Sequence, residues 1–113
     1  MKDDRIYLQH IYDAIQNIFD YTRDGSEAFF ADRKTQDAVI RNLEIIGEAT
    51  RRISDGLKAA APGIPWRRIG DMRNKLIHEY FGVNLELVWE VVDRYLPDFA
   101  HQIASLLHKP DGR

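Results

Sequence analysis

Apolar side chains recur at steps of three and four residues through most of this chain, and that spacing restricts what it can fold into. Leu8, Ile11, Ile15, Ile18 and Phe19 make one such set, and Ala38, Leu43, Ile45, Ile46, Ala49 and Ile53 a second. A third runs through Val88, Trp89, Val92, Leu96, Phe99, Ile103, Leu106 and Leu107. Each residue turns an α-helix by roughly 100°, so every set falls on one face that can be buried against a neighbour. No strand pair, internal repeat or low-complexity tract breaks the pattern. The expected fold is all-α: one domain over residues 1–113, a four-helix antiparallel bundle with short extra helical turns.

Caps and breakers place the boundaries. Asp3 or Asp4 can cap a first helix, which ends near Thr22 before Gly25. Ser26 opens a short capped turn that buries Phe29 and Phe30 as a lid. The longest pattern runs from about Lys34 to Ser54, with Gly47 in its middle and Gly56 ending it. Ala59 to Pro65 reads as a connector, since Pro62 and Pro65 discourage helix. Trp66 to Ile69 is then a separate short turn, and a third helix starts at Gly70 or Asp71 and stops at His78. Gly82 supplies the stop and Asn84 the next cap. The last helix, Leu85 to about Leu107, contains Pro97, where a kink is expected.

Composition narrows the function. With 113 residues, of which 44% are hydrophobic, the chain can bury one real core but not two. It has no cysteine, which removes disulfides, thiolate metal sites and thiol nucleophiles, and suits a reducing cytoplasm. No apolar run approaches membrane-spanning length, so a soluble protein is expected. The net charge of −2 argues against indiscriminate coating of nucleic acid. Its distribution is uneven: Arg51 to Lys75 holds seven basic and two acidic residues, whereas Met1 to Thr50 holds six basic and ten acidic. A phosphate is the natural target for the basic stretch, which includes the Arg51/Arg52 and Arg67/Arg68 pairs. A merely solvated helix face is the simpler account of the same charges.

At the end of that stretch and just past it, Arg73, Asn74, His78 and Tyr80 stand close together with no packing reason. Asn74 and His78 stack on one helix face, but Arg73 and His78 diverge by about 140° around the axis. One helix cannot aim both at one small target unless it ends between them or two chains converge. The order Arg73-x4-His78-x-Tyr80 resembles the R-x4-H-x-Y motif of HEPN-domain proteins, in particular the HepT-like branch. Arg41-Asn42-Leu43-Glu44-Ile45-Ile46-Gly47-Glu48-Ala49 is similar to that branch's second-helix signature. With Pro65-Trp66 and Val88-Trp89 the resemblance covers nearly the whole chain. It implies a small helical homodimer, the toxin of a toxin–antitoxin pair whose antitoxin is a minimal nucleotidyltransferase. It further implies that Tyr80 is adenylylated by that partner, adding bulk and negative charge beside the site.

The residue types suit RNA cleavage without a metal. His78 can exchange a proton near neutrality with a ribose 2′-hydroxyl or a leaving oxygen. Arg73 can hold the scissile phosphate through forked hydrogen bonds and stabilise its developing charge, and Asn74 can position the ring or the phosphate. Each also has a plain reading: a histidine bonded to helix-end carbonyls, a surface ion pair of Arg73 with Glu48 or Asp71, a solvated amide, a half-buried phenol. A metal-dependent nuclease is not expected, because Asp71 and Glu79 are the only carboxylates near the motif and arginines flank them. Glu44 and Glu48 form a helical pair that could reach a metal, but Arg41, Arg51 and Arg52 are nearer partners. His10, His101 and His108 share no ligand spacing, and no cofactor is expected. The competing reading is a non-catalytic helical module that docks the nucleotidyltransferase and carries the modified tyrosine.

Overall fold

The computed structural model describes residues 2–77 and 84–108, with backbone alone at Lys2, Arg73, Lys75, Leu76 and Ile77. The elements in order are α1 (Lys2–Tyr21), α2 (Ser26–Ala31), α3 (Arg33–Arg52), α4 (Asp55–Ala60) and α5 (Trp66–Ile77). Then follow α6 (Leu85–Glu90), a π-helical segment (Val91–Tyr95) and α7 (Leu96–Leu107). Among the described residues there is no strand, so the fold is all-α.

α1 and α3 lie along each other and form the main packing pair; α7 also packs on α1, and α5 packs on α3. The apolar stripes face one shared interior. Leu8, Ile11, Ile15 and Ile18 from α1 meet Leu43, Ile46 and Ala49 from α3, and Val88, Val92, Leu96, Phe99 and Ile103 close the other side. Val39 and Ala14 are buried too, although neither was needed to recognise the stripes. Each fully buried Leu or Ile side chain contributes about 1.5–3 kcal/mol relative to an exposed one, so this interior outweighs any surface ion pair in the molecule.

The ends of the helices depart from the sequence expectations for local reasons. α1 starts at Lys2, which puts Asp3 and Asp4 inside its first turn rather than at its cap. Asp4 instead reaches across the chain and is buried. Its carboxylate accepts from the Ser54 backbone N–H at 2.8 Å and from the Ser54 hydroxyl at 2.6 Å. Ser54 Oγ in turn accepts from the Leu57 N–H at 3.2 Å and caps α4. α3 is therefore ended by the extended backbone of Ile53 and the Ser54 cap, and Gly56 lies within α4 instead of terminating α3. Replacing Asp4 by alanine strands the Ser54 donors in a part-buried site. Charge-assisted hydrogen bonds of this kind are worth about 1.5–3 kcal/mol, and Asp4→Ala is expected to lower unfolding free energy by about that amount in a denaturant titration.

Gly25, at φ +92°, occupies the N-cap of α2 with no side-chain bond, so Ser26 is the first helical residue and not its cap. The expected phenylalanine lid is half built. Phe29 is fully buried and lies 5.3 Å from the Trp89 ring, centroid to centroid, while Phe30 is 43% exposed. Asp32 caps α3 by accepting from the Lys34 N–H at 3.1 Å and the Thr35 hydroxyl at 2.8 Å. The Thr35 bond, then the Lys34 bond, holds its carboxyl below the usual range, so this cap persists through neutral pH and is lost only as acid protonates Asp32.

One expected break is absent. Trp66 to Ile69 and the motif helix are one continuous helix, α5. Pro65 stands just before it, no proline falls within it, and Gly70 alone is not enough to stop it. The last helical stretch keeps a helical backbone past Pro97, but the expected kink takes a different form. The π-helical segment precedes it, with the Leu96 N–H reaching the Val91 carbonyl, and Pro97 falls in the first turn of α7. Pro97 can donate no N–H, and the backbone ahead of it is already helical, so the π turn is where the hydrogen-bond ladder shifts register. Asn84 caps α6 as expected, accepting from the Leu87 N–H at 3.0 Å. Gly82 lies outside the described residues. No described helix is long and apolar enough to cross a membrane.

Candidate active site

Arg73 and Asn74 sit in successive positions of α5, and Asn74 is exposed. His78 follows Ile77, the last residue of α5; His78 and Tyr80 lie outside the described residues, as does the side chain of Arg73.

α5 begins at a fixed point. The buried Trp66 donates its indole N–H to the Ala61 carbonyl at 3.0 Å, and the Ile69 N–H bonds the Pro65 carbonyl at 3.1 Å. Ile69 and Met72 lie against the core. One side chain of α3 crosses to the α5 backbone: Arg51 donates from Nε to the Gly70 carbonyl at 3.2 Å. Its Nη2 is 3.9 Å from an Asp71 carboxylate oxygen. Gly70 is buried beneath this arginine, and a Cβ built there would lie 3.5 Å from Arg51 Cγ, an ordinary contact.

Among the described residues, carboxylates of α3 and α5 lie near arginines. Asp71 faces Arg51, and Glu48 lies 3.6 Å from Arg52. Arg41 is 3.9 Å from Glu44. Among the described residues no group of three His, Cys, Asp or Glu side chains is gathered as metal ligands would be. Arg67 and Arg68, in the first turn of α5, are exposed. Arg67, Asp71 and Asn74 follow one another at four- and three-residue steps, so a polar stripe runs along α5 toward the motif.

A groove between α1 and α3 has no counterpart in the sequence expectations. It encloses about 470 Å³ and is lined by Tyr7 and His10 on one side and by Arg41, Glu44, Glu48 and Arg52 on the other, with Ile45 and Ala49 on its floor. The steps from Arg41 to Glu44, Glu48 and Arg52 keep all four on one face of α3. That spacing was readable; its pairing with Tyr7 and His10 depends on how α1 packs.

The family model described as "Ribonuclease HepT-like" matches residues 11–106. A "probable ribonuclease HepT" of Thermococcus cleftensis is 46% identical over 88% of this chain and 92% of its own length. A candidate RNase of Methanocaldococcus jannaschii is 38% identical, covering 98% of this chain and 93% of that protein. Another, from Caldanaerobacter subterraneus, is 37% identical over 96% of this chain and 98% of its own length. No solved structure matches the chain.

Proposed function

The chain belongs to the ribonuclease HepT-like family, and on that premise we propose that it is a metal-independent endoribonuclease acting through the Arg73-x4-His78-x-Tyr80 motif, with Arg73 and His78 as its catalytic residues. The observation that carries this reading is the match of the family model across residues 11–106, a span that includes the whole Arg73-x4-His78-x-Tyr80 motif. The relatives' ribonuclease names support it, and so do the exposed Arg67 and Arg68 in the first turn of the helix that carries the motif.

In this reading His78 moves the proton at the ribose 2′-hydroxyl, or at the leaving 5′-oxygen. Arg73 neutralises the non-bridging oxygens of the phosphorus as it gains a fifth ligand. Asn74 positions substrate. The test is cleavage of RNA by the purified protein in chelator. Cutting supports the reading, and an inert protein leaves the docking module in its place.

The wider biology follows the family. The chain acts in the cytoplasm as the toxin of a toxin–antitoxin pair. Its partner, a minimal nucleotidyltransferase, silences it by adenylylating Tyr80. The working form is a twofold homodimer of antiparallel four-helix bundles built from α1, α3, α5 and the α6–α7 rod. Symmetry brings Arg73 of each subunit beside His78 of the other, which resolves their divergence of about 140° on one helix. Sedimentation at micromolar concentration is expected to give about twice the mass of 13.2 kDa. A monomer throughout that range rules out the shared site.

A further inference from the structure

We propose that Arg51 is a positioning residue for the cleavage reaction, a tether that sets the rotation of α5 and thereby the direction in which the motif faces; this rests on the ribonuclease reading above. α5 packs on α3. Trp66 and Pro65 anchor the first turn of the helix, and the turns nearer the motif are held by contacts further along. Ile69 and Met72 supply apolar contact, which is tolerant of small rotations because dispersion is not directional. The Arg51 Nε–H to the Gly70 carbonyl, at 3.2 Å, is directional and engages the backbone itself.

The register makes the tether consequential. Arg73 and Asn74 follow Gly70 by three and four residues, so their Cα positions lie one turn further on, to either side of the line through Gly70. A group held about 6 Å from a helix axis moves about 1 Å when the helix turns by about 10°. A misplacement of about 1 Å at a reacting centre can cost about 10²-fold in rate. The Asp71 contact, at 3.9 Å and between side chains about half exposed, adds little to the tether.

An alternative role for the same arginine is direct contact with an RNA phosphate through its charge. Two substitutions separate the roles. In Arg51→Gln the amide nitrogen occupies the place of Nε along the side chain, so the donor to Gly70 is kept and the charge removed. Arg51→Met keeps the length and removes both. The tether predicts that kcat falls about 10- to 100-fold in Arg51→Met and stays within about threefold of wild type in Arg51→Gln, with KM nearly constant in both. Amide hydrogen exchange gives a second readout that needs no RNA. Exchange at Asp71 to Ile77 should quicken about three- to tenfold in Arg51→Met, the range of a single hydrogen bond, and not in Arg51→Gln, while Ile11 to Ile18 in α1 stay as in wild type. The proposal is overturned if Arg51→Met exchanges and cleaves like wild type. It is equally overturned if Arg51→Gln loses activity as far as Arg51→Met with a raised KM and a weaker salt dependence, the pattern of a lost phosphate contact. Should wild-type protein cut no RNA, the ribonuclease reading falls by itself, and the exchange pattern alone upholds or overturns the tether.

Discussion

Alanine in place of His78 is expected to abolish RNA cleavage, and alanine in place of Arg73 to do the same, with helical content and sedimentation unchanged. Neither residue belongs to an apolar stripe, so removing either side chain should leave the buried interior of α1, α3 and α7 intact. Loss of a general acid–base group costs typically about 10²–10⁴-fold in rate. Loss of a donor that stabilises an oxyanion costs about 10²–10³-fold. If the two groups act in one step on one phosphorus, the double variant should be little worse than either single one, because residues that act as a unit are not additive. The products should end in a 2′,3′-cyclic phosphate, since an internal 2′-hydroxyl is the nucleophile, and chelator should make no difference. A His78→Ala protein that cuts as fast as wild type removes the proposed mechanism.

Much of the fold could be read from the sequence because its strongest determinant is local. Leu8, Ile11, Ile15 and Ile18 define a helix face by spacing alone, and all four are buried. What could not be read depends on partners distant in the chain. Asp4 looks like the cap of its own helix, yet its carboxylate is spent on Ser54, fifty residues away. Gly56 looks like a terminator until Ser54 caps the next helix ahead of it. Pro97 signals disruption, but that the chain meets it with a π-helical segment over Val91–Tyr95 depends on how the surrounding turns pack.

The candidate site divides in the same way. The residue types and spacing of Arg73, Asn74, His78 and Tyr80 are properties of the sequence, and the family match spans the positions that hold them. That one helix carries the motif from Trp66 onward, and that Arg51 holds this helix by the Gly70 carbonyl, are facts of packing. The sequence marks Arg51 as one of several basic residues and as a partner for Glu44 and Glu48, whereas it faces Asp71. Its spacing from Gly70, nineteen residues along the chain, carries no periodic signal.

Tyr80→Phe should separate activity from control. Phenylalanine keeps the ring but lacks the oxygen that would attack the α-phosphorus of a nucleoside triphosphate, so no AMP can be attached and no pyrophosphate released at this position. RNA cleavage by purified Tyr80→Phe is expected to stay within a few-fold of wild type, because the proposed proton transfer and charge stabilisation belong to His78 and Arg73. Growth is expected to differ sharply. Cells co-expressing wild-type protein and the nucleotidyltransferase should survive, while those co-expressing Tyr80→Phe should not. Attached AMP adds a phosphodiester negative charge two residues from His78, where it competes for the same arginine as the scissile phosphate. Mass spectrometry of the co-expressed wild-type protein should therefore find one or more AMP groups on the peptide holding Tyr80 and none after substitution. Modification confined to other residues, or rescue of Tyr80→Phe cells by the partner, would show that inhibition works by another route.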